Sequence, residues 1–302
     1  MIRLLATLCA LLPAACTHQP AVVPHPHYVL GAPYQVGGVW QYPRENYNAV
    51  ETGVAAIYQA PHPALTDDGE VFDQHALAAA HPTLQLPAIA RLTNLENGRQ
   101  VLVRINDRGP DTPHRLLLVT TRTAQLLEFP SSGVARVRLE VMPSPTHAAV
   151  DSLPGAPSLP IAAAPRAPVQ ETPLGPAGSP TASITTWKAS AAPTPAGPAG
   201  PVPVLRLPET VTQTVPDPGS LWVQLATFQS HRYAAVERAR LAGLDPEIVA
   251  APVDGQQEFR VRLGPFATIS QADAALDRAI AAGVPDPRIT VETGADAQEF
   301  AR

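Results

Sequence analysis

From residue 53 to residue 141, apolar residues recur at every second position or in short unbroken runs, which is the period of β-structure. Gly53-Val-Ala-Ala-Ile-Tyr58, Ala88-Ile-Ala-Arg-Leu-Thr93, Gln100-Val-Leu-Val-Arg-Ile105 and Ala135-Arg-Val-Arg-Leu-Glu-Val141 read as strands. Asn97-Gly98, between the second and third, is a two-residue hairpin signal because both residues tolerate positive φ. His75-Ala-Leu-Ala-Ala-Ala80 and Thr121-Arg-Thr-Ala-Gln-Leu-Leu127 read as short helices. Strands at this density with few helices predict a small closed β-barrel.

The texture changes after residue 145. Fourteen of the chain's 36 prolines fall between Asp151 and Pro208, with Ala, Gly, Ser and Thr between them. Such a segment buries too little apolar surface to offset its ordering entropy, so residues 146–217 are expected to be a disordered linker. From Leu221 the pattern resumes and repeats. Val223-Gln-Leu-Ala-Thr-Phe228 recurs as Val261-Arg-Leu-Gly-Pro-Phe266, and each copy precedes an Ala-rich amphipathic helix, at 233–242 and 271–282. Gly243 and Gly283 read as the C-terminal caps. Ile248-Val-Ala250 and Arg288-Ile-Thr-Val-Glu292 supply return strands. The expected unit is βαββαβ, ferredoxin-like, with two helices on one face of a four-stranded antiparallel sheet. Strand alternation turns Val223, Leu225, Val261 and Leu263 toward the helices and leaves Trp222, Gln224, Arg260 and Arg262 on the open face.

Length and charge narrow the function classes. The chain has 302 residues, enough for two domains and a linker. Net charge is −5, and Lys188 is the single lysine among 21 basic residues. With no basic stripe, nucleic acid is excluded as an expected partner. The N-terminus places Arg3 before a short apolar run that ends Ala14-Ala15-Cys16. The run is too short to span a bilayer, so residues 1–15 read as an export signal. The two small residues before Cys16 resemble a bacterial lipobox, in which the cysteine is acylated after cleavage. Of the two cysteines, Cys9 would leave with the signal and Cys16 would stand alone at the new N-terminus, which acylation explains. Residues 16–27 would be a tether. His18, His25 and His27 lack paired metal-ligand spacing. The acidic group Asp67, Asp68, Glu70 and Asp73 lacks that of an EF-hand. No metal and no cofactor is expected.

Candidate chemistry centres on Val101-Leu-Val-Arg-Ile-Asn-Asp-Arg-Gly-Pro110. Strand character ends abruptly at Asn106-Asp107, and Gly109-Pro110 fixes the turn, which mounts the Asp107 carboxyl rigidly at the mouth of the fold. An Asp that only caps a turn would look the same. Glu70 follows Thr66-Asp-Asp-Gly69, and His81 ends the Ala-rich segment before Pro82. Arg108 could pair with Asp107 and hold it ionised.

Gly31-Ala-Pro-Tyr-Gln35, Glu51-Thr-Gly53, Ala78-Ala-Ala-His81, Leu92-Thr-Asn-Leu-Glu-Asn-Gly98 and Asn106-Asp-Arg-Gly-Pro110, in that order, resemble the rare lipoprotein A (RlpA) family of lytic transglycosylases. The repeated strand motifs from about residue 219 to 293 resemble the SPOR domain. These resemblances imply a double-psi β-barrel at 28–145, a peptidoglycan-binding SPOR domain at 218–295 and a tail at 296–302. They imply Asp107 as catalytic acid, Glu70 as a second essential acid and His81 as an auxiliary residue. Tyr58 and Asn106 are expected as sugar contacts in the barrel, and Trp222, Gln224, Arg260 and Arg262 as glycan contacts on the sheet. The implied substrate is peptide-free glycan, cut to 1,6-anhydro-muramyl ends, with division proteins as candidate partners. The implied place is the outer membrane's periplasmic face at the septum. The chain departs from the family at Ala56-Ile57-Tyr58-Gln59, at His62-Pro63 and at Leu118, which stands where the family has an acid. A noncatalytic wall-binding lipoprotein and an expansin-like loosening of polysaccharide are the competing readings.

Overall fold

The computed structural model describes residues 22–58, 60, 64–109, 114–157, 206–253 and 256–294. The export signal, Cys16, Gln59, His62, Pro63, Pro110 and residues 158–205 of the expected linker lie outside the described residues.

A small hairpin of β1 (Tyr34–Val36) and β2 (Val39–Gln41) precedes the barrel. The barrel strands are β3 (Val50–Ile57), β4 (Ala78–Ala80), β5 (Ala88–Asn94), β6 (Arg99–Asp107), β7 (Leu117–Val119) and β8 (Val134–Val141). They hydrogen-bond in the order β4-β7-β3-β8-β5-β6, and a β4–β6 pairing closes the ring at six strands. The β3–β7 and β4–β6 pairings are parallel and the others antiparallel. The alternation along β8 explains its place: Ala135, Val137, Leu139 and Val141 are buried and the residues between them are not. Leu92, Val103, Ile105, Leu117, Val119 and Leu139 fill the interior. Burying each such side chain is worth about 1.5–3 kcal/mol. Helix α1 (Thr121–Leu126) stands where expected, its first turn capped by the Thr120 hydroxyl.

Two local expectations are corrected. Residues 78–80 are a strand rather than the end of a helix. Their backbone fills the ladder between β6 and β7, and in that fully buried slot the pairing overrides alanine's helix propensity. His81 is therefore no helix C-terminus. The hairpin between β5 and β6 has four connecting residues rather than two. Gly98 takes φ +76° there and donates its N–H to the Asn94 carbonyl.

Packed structure also extends past the expected linker and tether boundaries. Helix α2 (Pro143–Val150) lies against the barrel, with the Thr146 hydroxyl bonded to the backbone of Ile89. On the far side of the linker, β9 (Thr212–Gln213) pairs with Arg99 and Gln100 of β6. From the expected tether, the N–H groups of His25 and His27 donate to the carbonyls of Gly69 and Asp68. An alanine Cβ at Gly69 would stand 2.4 Å from the His25 carbonyl oxygen, so only glycine admits this approach.

The C-terminal unit is the expected one: β10 (Ser220–Phe228), α3 (His231–Arg240), β11 (Glu247–Val253), β12 (Gln256–Phe266), α4 (Ile269–Ala281) and β13 (Arg288–Glu292). Its antiparallel sheet runs β11-β12-β10-β13. Thr268 and Gln271 form a capping box on α4, and Gly283, at φ +78°, closes it. The N–H groups of Gly283 and Val284 bond to Ile280 and Ala279, the paired bonds of a Schellman cap. Gly243 does not cap α3. It lies in a short 3-10 turn, and Asp245 takes the left-handed conformation instead.

The two units are docked. Val54 and Leu95 of the barrel share a core with Leu221, Val223, Leu276 and Ile289. The Thr52 hydroxyl donates to the Val291 carbonyl at 2.6 Å, and Arg115 binds the Asp273 carboxylate with two bonds, at 2.7 and 3.1 Å. Arg136 donates to the carbonyls of Pro218, Gly219 and Ala267. Gly53 permits the approach, because a Cβ there would lie 2.9 Å from Leu116 Cβ and 3.3 Å from the Ile289 carbonyl oxygen.

Candidate active site

Strand β6 opens with half-buried Arg99 and Gln100, runs through apolar Val101–Val103 and then carries Arg104, Asn106 and Asp107, with Arg108 just beyond its end. Arg104 and Asn106 share a face of the strand by alternation. Both reach Glu70, which is 3 % exposed. The Arg104 guanidinium donates to Glu70 Oε1 (Nε at 2.7 Å, Nη2 at 2.5 Å), and Asn106 Nδ2 donates to Oε2 at 2.9 Å. Removing one partner of such a buried pair costs about 3–5 kcal/mol, because the other charge is stranded. Asn106, expected as a sugar contact, is thus engaged in holding Glu70.

The loop that carries Glu70 is braced from within. Thr66 Oγ1 donates to Asp68 Oδ1 at 2.7 Å, and the Glu70 N–H points at both of those oxygens. Asp68 is fully buried and its Oδ2 accepts no hydrogen bond; Arg104 Nη2 is 3.7 Å from it. Burial, and then the charge of Glu70, push the Asp68 carboxyl up to about 7.

Asp107, 8 % exposed, faces the start of the same loop. Its Oδ1 accepts from the N–H of Arg108 at 2.8 Å and of Asp67 at 3.2 Å. The Arg108 N–H also donates to Asp67 Oδ2 at 2.9 Å, which holds the two carboxyl groups together. Burial, and then the hydrogen bond and charge of the Asp67 side chain, push the Asp107 carboxyl up to about 6. The like charge acting on Asp107 is therefore Asp67, while Glu70 acts on Asp68. Tyr58 lies beside this pair. Burial, then the charge and hydrogen bonding of Asp107, raise its phenol to about 12. Its ring packs edge-on against Phe72 at 4.9 Å.

Arg108 does not pair with Asp107. Its guanidinium donates to the backbone carbonyls of Leu30, His81 and Leu84, which ties the N-terminal segment to the barrel. The His81 imidazole is not gathered with the acids either. Its Nδ1 accepts from the N–H groups of Thr83 and Leu84, and its Nε2 faces Glu51 Oε2 at 3.6 Å. Only the His81 backbone meets Asp107, through an N–H to carbonyl bond of 2.9 Å. At Glu51, burial favours the neutral acid. The neighbouring His81 imidazole, together with the charges of Arg44 and Arg288, outweighs it and lowers the pKa. Leu118 is buried beside Gly109, in contact distance of where a Cβ on that glycine would lie. Among the described residues no group of His, Cys, Asp or Glu is arranged to hold a metal ion.

On the C-terminal sheet, Trp222 is buried rather than presented on the open face. The Arg262 guanidinium lies 3.6 Å from its ring centroid, and Arg262 itself pairs with Glu247 and Glu292. Cross-strand registry sets Glu247, Arg262, Gln224 and Arg288 in one row across the four strands. Gln224 Nε2 donates to the Thr227 hydroxyl.

The sequence assigned no site role to Glu51 or Arg104, and Asp67 and Asp68 were weighed only as calcium ligands. For Arg104 a signal existed: a lone cation in an apolar strand, two residues before Asn106 and so on its face.

Residues 50–139 match the family described as "Lytic transglycolase", and residues 217–287 match the SPOR domain. The chain is 31 % identical over 279 residues to "Endolytic peptidoglycan transglycosylase RlpA" of Pseudomonas aeruginosa, covering 89 % of this chain and 80 % of that protein. The chain belongs to the RlpA family. Relatives of the same name in Rickettsia felis (34 % over 125 residues, 40 % of this chain and 55 % of that protein) and Escherichia coli O157:H7 (47 % over 92 residues, 30 % and 25 %) match over shorter spans. The barrel is thus the double-psi β-barrel and the C-terminal unit a SPOR domain. Glu70, His81 and Asp107 fall within the first matched span, and the Gln224 row largely within the second.

The Asp68 carboxyl makes stability depend on pH. Folded, it keeps a proton up to about 7, whereas an unfolded Asp loses it near 3.8. The folded chain therefore binds more protons between those values, and stability falls as pH rises through them. Asp107 adds to this slope up to about 6. Asp68→Asn keeps the Oδ1 acceptor and removes the titration. Its melting temperature should vary less between pH 4 and 7 and exceed the wild type's at pH 8 by about 2–4 °C. An unchanged slope would contradict the buried, protonated Asp68.

Proposed function

We propose that the chain is an endolytic lytic transglycosylase that cuts peptide-free peptidoglycan strands between N-acetylmuramic acid and N-acetylglucosamine. The support is the Asp107 carboxyl, buried at the end of β6 and pushed up to about 6, where a group can both give and take a proton near neutral pH. Asp107 donates its proton to the glycosidic oxygen as the C1–O bond breaks. The 6-hydroxyl of the same muramic sugar then attacks C1, and its proton passes to the Asp107 carboxylate. A 1,6-anhydro end forms, no water is consumed, and Asp107 returns to its starting state. Asp67 raises the acid's pKa and Tyr58 lies against it. Glu70, locked by Arg104 and Asn106, fixes the loop that supplies the Asp67 N–H. His81 acts at a distance from the acid, through its backbone and Glu51.

The competing reading is a wall-binding protein without activity. It draws on Leu118, an apolar residue in the place of a family acid. Product analysis separates the two. Full-length protein incubated with peptide-free glycan should release anhydro-muramyl ends detectable by mass spectrometry, and unchanged strands would support the competitor. Folded Asp107→Asn should be slower by about 10²–10⁴-fold, and Glu70→Gln should also lose activity. Because the protonated acid starts the reaction, kcat/KM should fall as pH rises through about 6. Asp67→Asn should move that limb to lower pH. A folded Asp107→Asn protein working at the wild-type rate would remove Asp107 from the chemistry.

The proposed organisation keeps 1–15 as signal, Cys16 as the acylated residue and 218–295 as the septum-directing domain, with the protein on the periplasmic face of the outer membrane. Val22 is only six residues beyond Cys16, a reach of roughly 20 Å. The segment that begins at Val22 packs on the Glu70 loop through His25 and His27, so the anchor would hold the barrel close to the membrane. Cys16→Ser should shift the protein to the soluble periplasmic fraction; retention with membranes would overturn the lipid anchor.

A further inference from the structure

Docking the two domains creates a polar cleft of about 470 Å³ between them. Glu51, Thr52 and His81 line it from the barrel, and Gln224, Arg260 and Arg288 line it from the open face of the sheet. The cleft is narrow enough for charges to act across it, since Arg288 of the sheet is one of the groups that lower the Glu51 pKa. The proposed acid is not among its lining residues but adjoins one of them. Arg108 lines the cleft, and its own N–H donates to Asp107 Oδ1 at 2.8 Å. Of the residues that join the domains, Thr52 and Arg115 line the cleft, whereas Arg136 and Asp273 stand outside it.

We infer that this cleft is one glycan-binding groove built jointly by both domains, so that the strand gripped by the sheet is the strand presented to the barrel. The inference rests on the proposed action on peptide-free glycan. Such a strand offers hydroxyl and acetamido groups throughout. Each muramic residue adds a lactyl carboxylate that is free only once the peptide has been removed. The cleft matches that chemistry. Carboxylates and the Gln224 amide accept from or donate to sugar hydroxyls, and guanidinium groups are suited to carboxylates. The Arg288 side chain pairs with Asp286 of the same lining and is still 61 % exposed, so it is reachable by a ligand. Holding the strand in one register would reduce the entropy lost at the reacting bond. The SPOR domain then positions substrate for its own barrel as well as carrying the protein to the wall.

The test uses full-length Asp107→Asn protein and a peptide-free tetrasaccharide with two muramic residues. One molecule should bind per chain. Hydrogen exchange should slow at the same ligand concentration in β10 and β13 of the sheet and around Thr52 and His81 of the barrel. Protection confined to one domain would overturn the joint groove. In a second arm, Asp273→Arg with Arg136→Ala undocks the domains without substituting any lining residue, as an increased radius of gyration in solution scattering would report. Undocking should weaken tetrasaccharide binding by roughly tenfold or more and, in the otherwise wild-type chain, raise KM far more than it lowers kcat. Equal affinity and KM after undocking would also overturn the inference. The failures are separable. Two-domain protection without anhydro products from the wild type removes the proposed activity and leaves the groove, whereas products without two-domain protection remove the groove alone.

Discussion

The buried polar end of β6 is the constraint around which the mouth of the barrel is arranged. Arg104, Asn106 and Asp107 are buried in the strand's last four residues and half-buried Arg108 follows at its exit, so their polar groups need partners within the protein. Arg104 and Asn106 take both oxygens of Glu70. Arg108 takes three backbone carbonyls, one of them in the N-terminal segment. Asp107 takes two backbone N–H groups, one of them from Asp67. These demands fix where residues 66–70 sit, and that loop in turn receives the segment at 25–27. The same burial that requires partners also raises the carboxyl pKa values, so the packing problem and the proposed chemistry have one physical origin.

The two proposed acids are not equivalent in this arrangement. Glu70 is saturated as an acceptor by a guanidinium and an amide, which suits a fixed support. Asp107 is held at Oδ1 by two backbone N–H groups and has a carboxylate, Asp67, acting on it, which suits a proton donor. A division of labour between support and acid follows from which partners each one meets, with Arg104 deciding the role of Glu70. Docking of the SPOR domain adds a second layer, because it brings the sheet's polar row opposite Glu51 and His81.

Much of the fold was legible in the residues. Strict alternation along 135–141 and the repeated strand motifs at 223–228 and 261–266 give periods that tertiary contacts reinforce. Ala78–Ala80 misled because alanine favours helix locally, and only the ladder between β6 and β7 makes it a strand. Leu117–Val119 passed unread because three residues cannot show a period. The packed segments at 143–150 and 212–213 were hidden in proline-rich texture, since composition reports average order and not where a short stretch finds a partner. At the site, the family resemblance grouped Glu70, His81 and Asp107. It could not show that the His81 ring turns toward Glu51 or that Arg262 covers Trp222, because both depend on side-chain partners from distant strands.

The central claim is that Asp107 is a protonatable carboxyl near neutral pH because it is buried beside Asp67. Titration of the Asp107 side-chain carboxyl carbon by ¹³C NMR measures this without substrate. The account predicts a midpoint at about 6, falling toward the ordinary value of 3.8 in Asp67→Asn. A wild-type midpoint near 3.8, unchanged by Asp67→Asn, would contradict it.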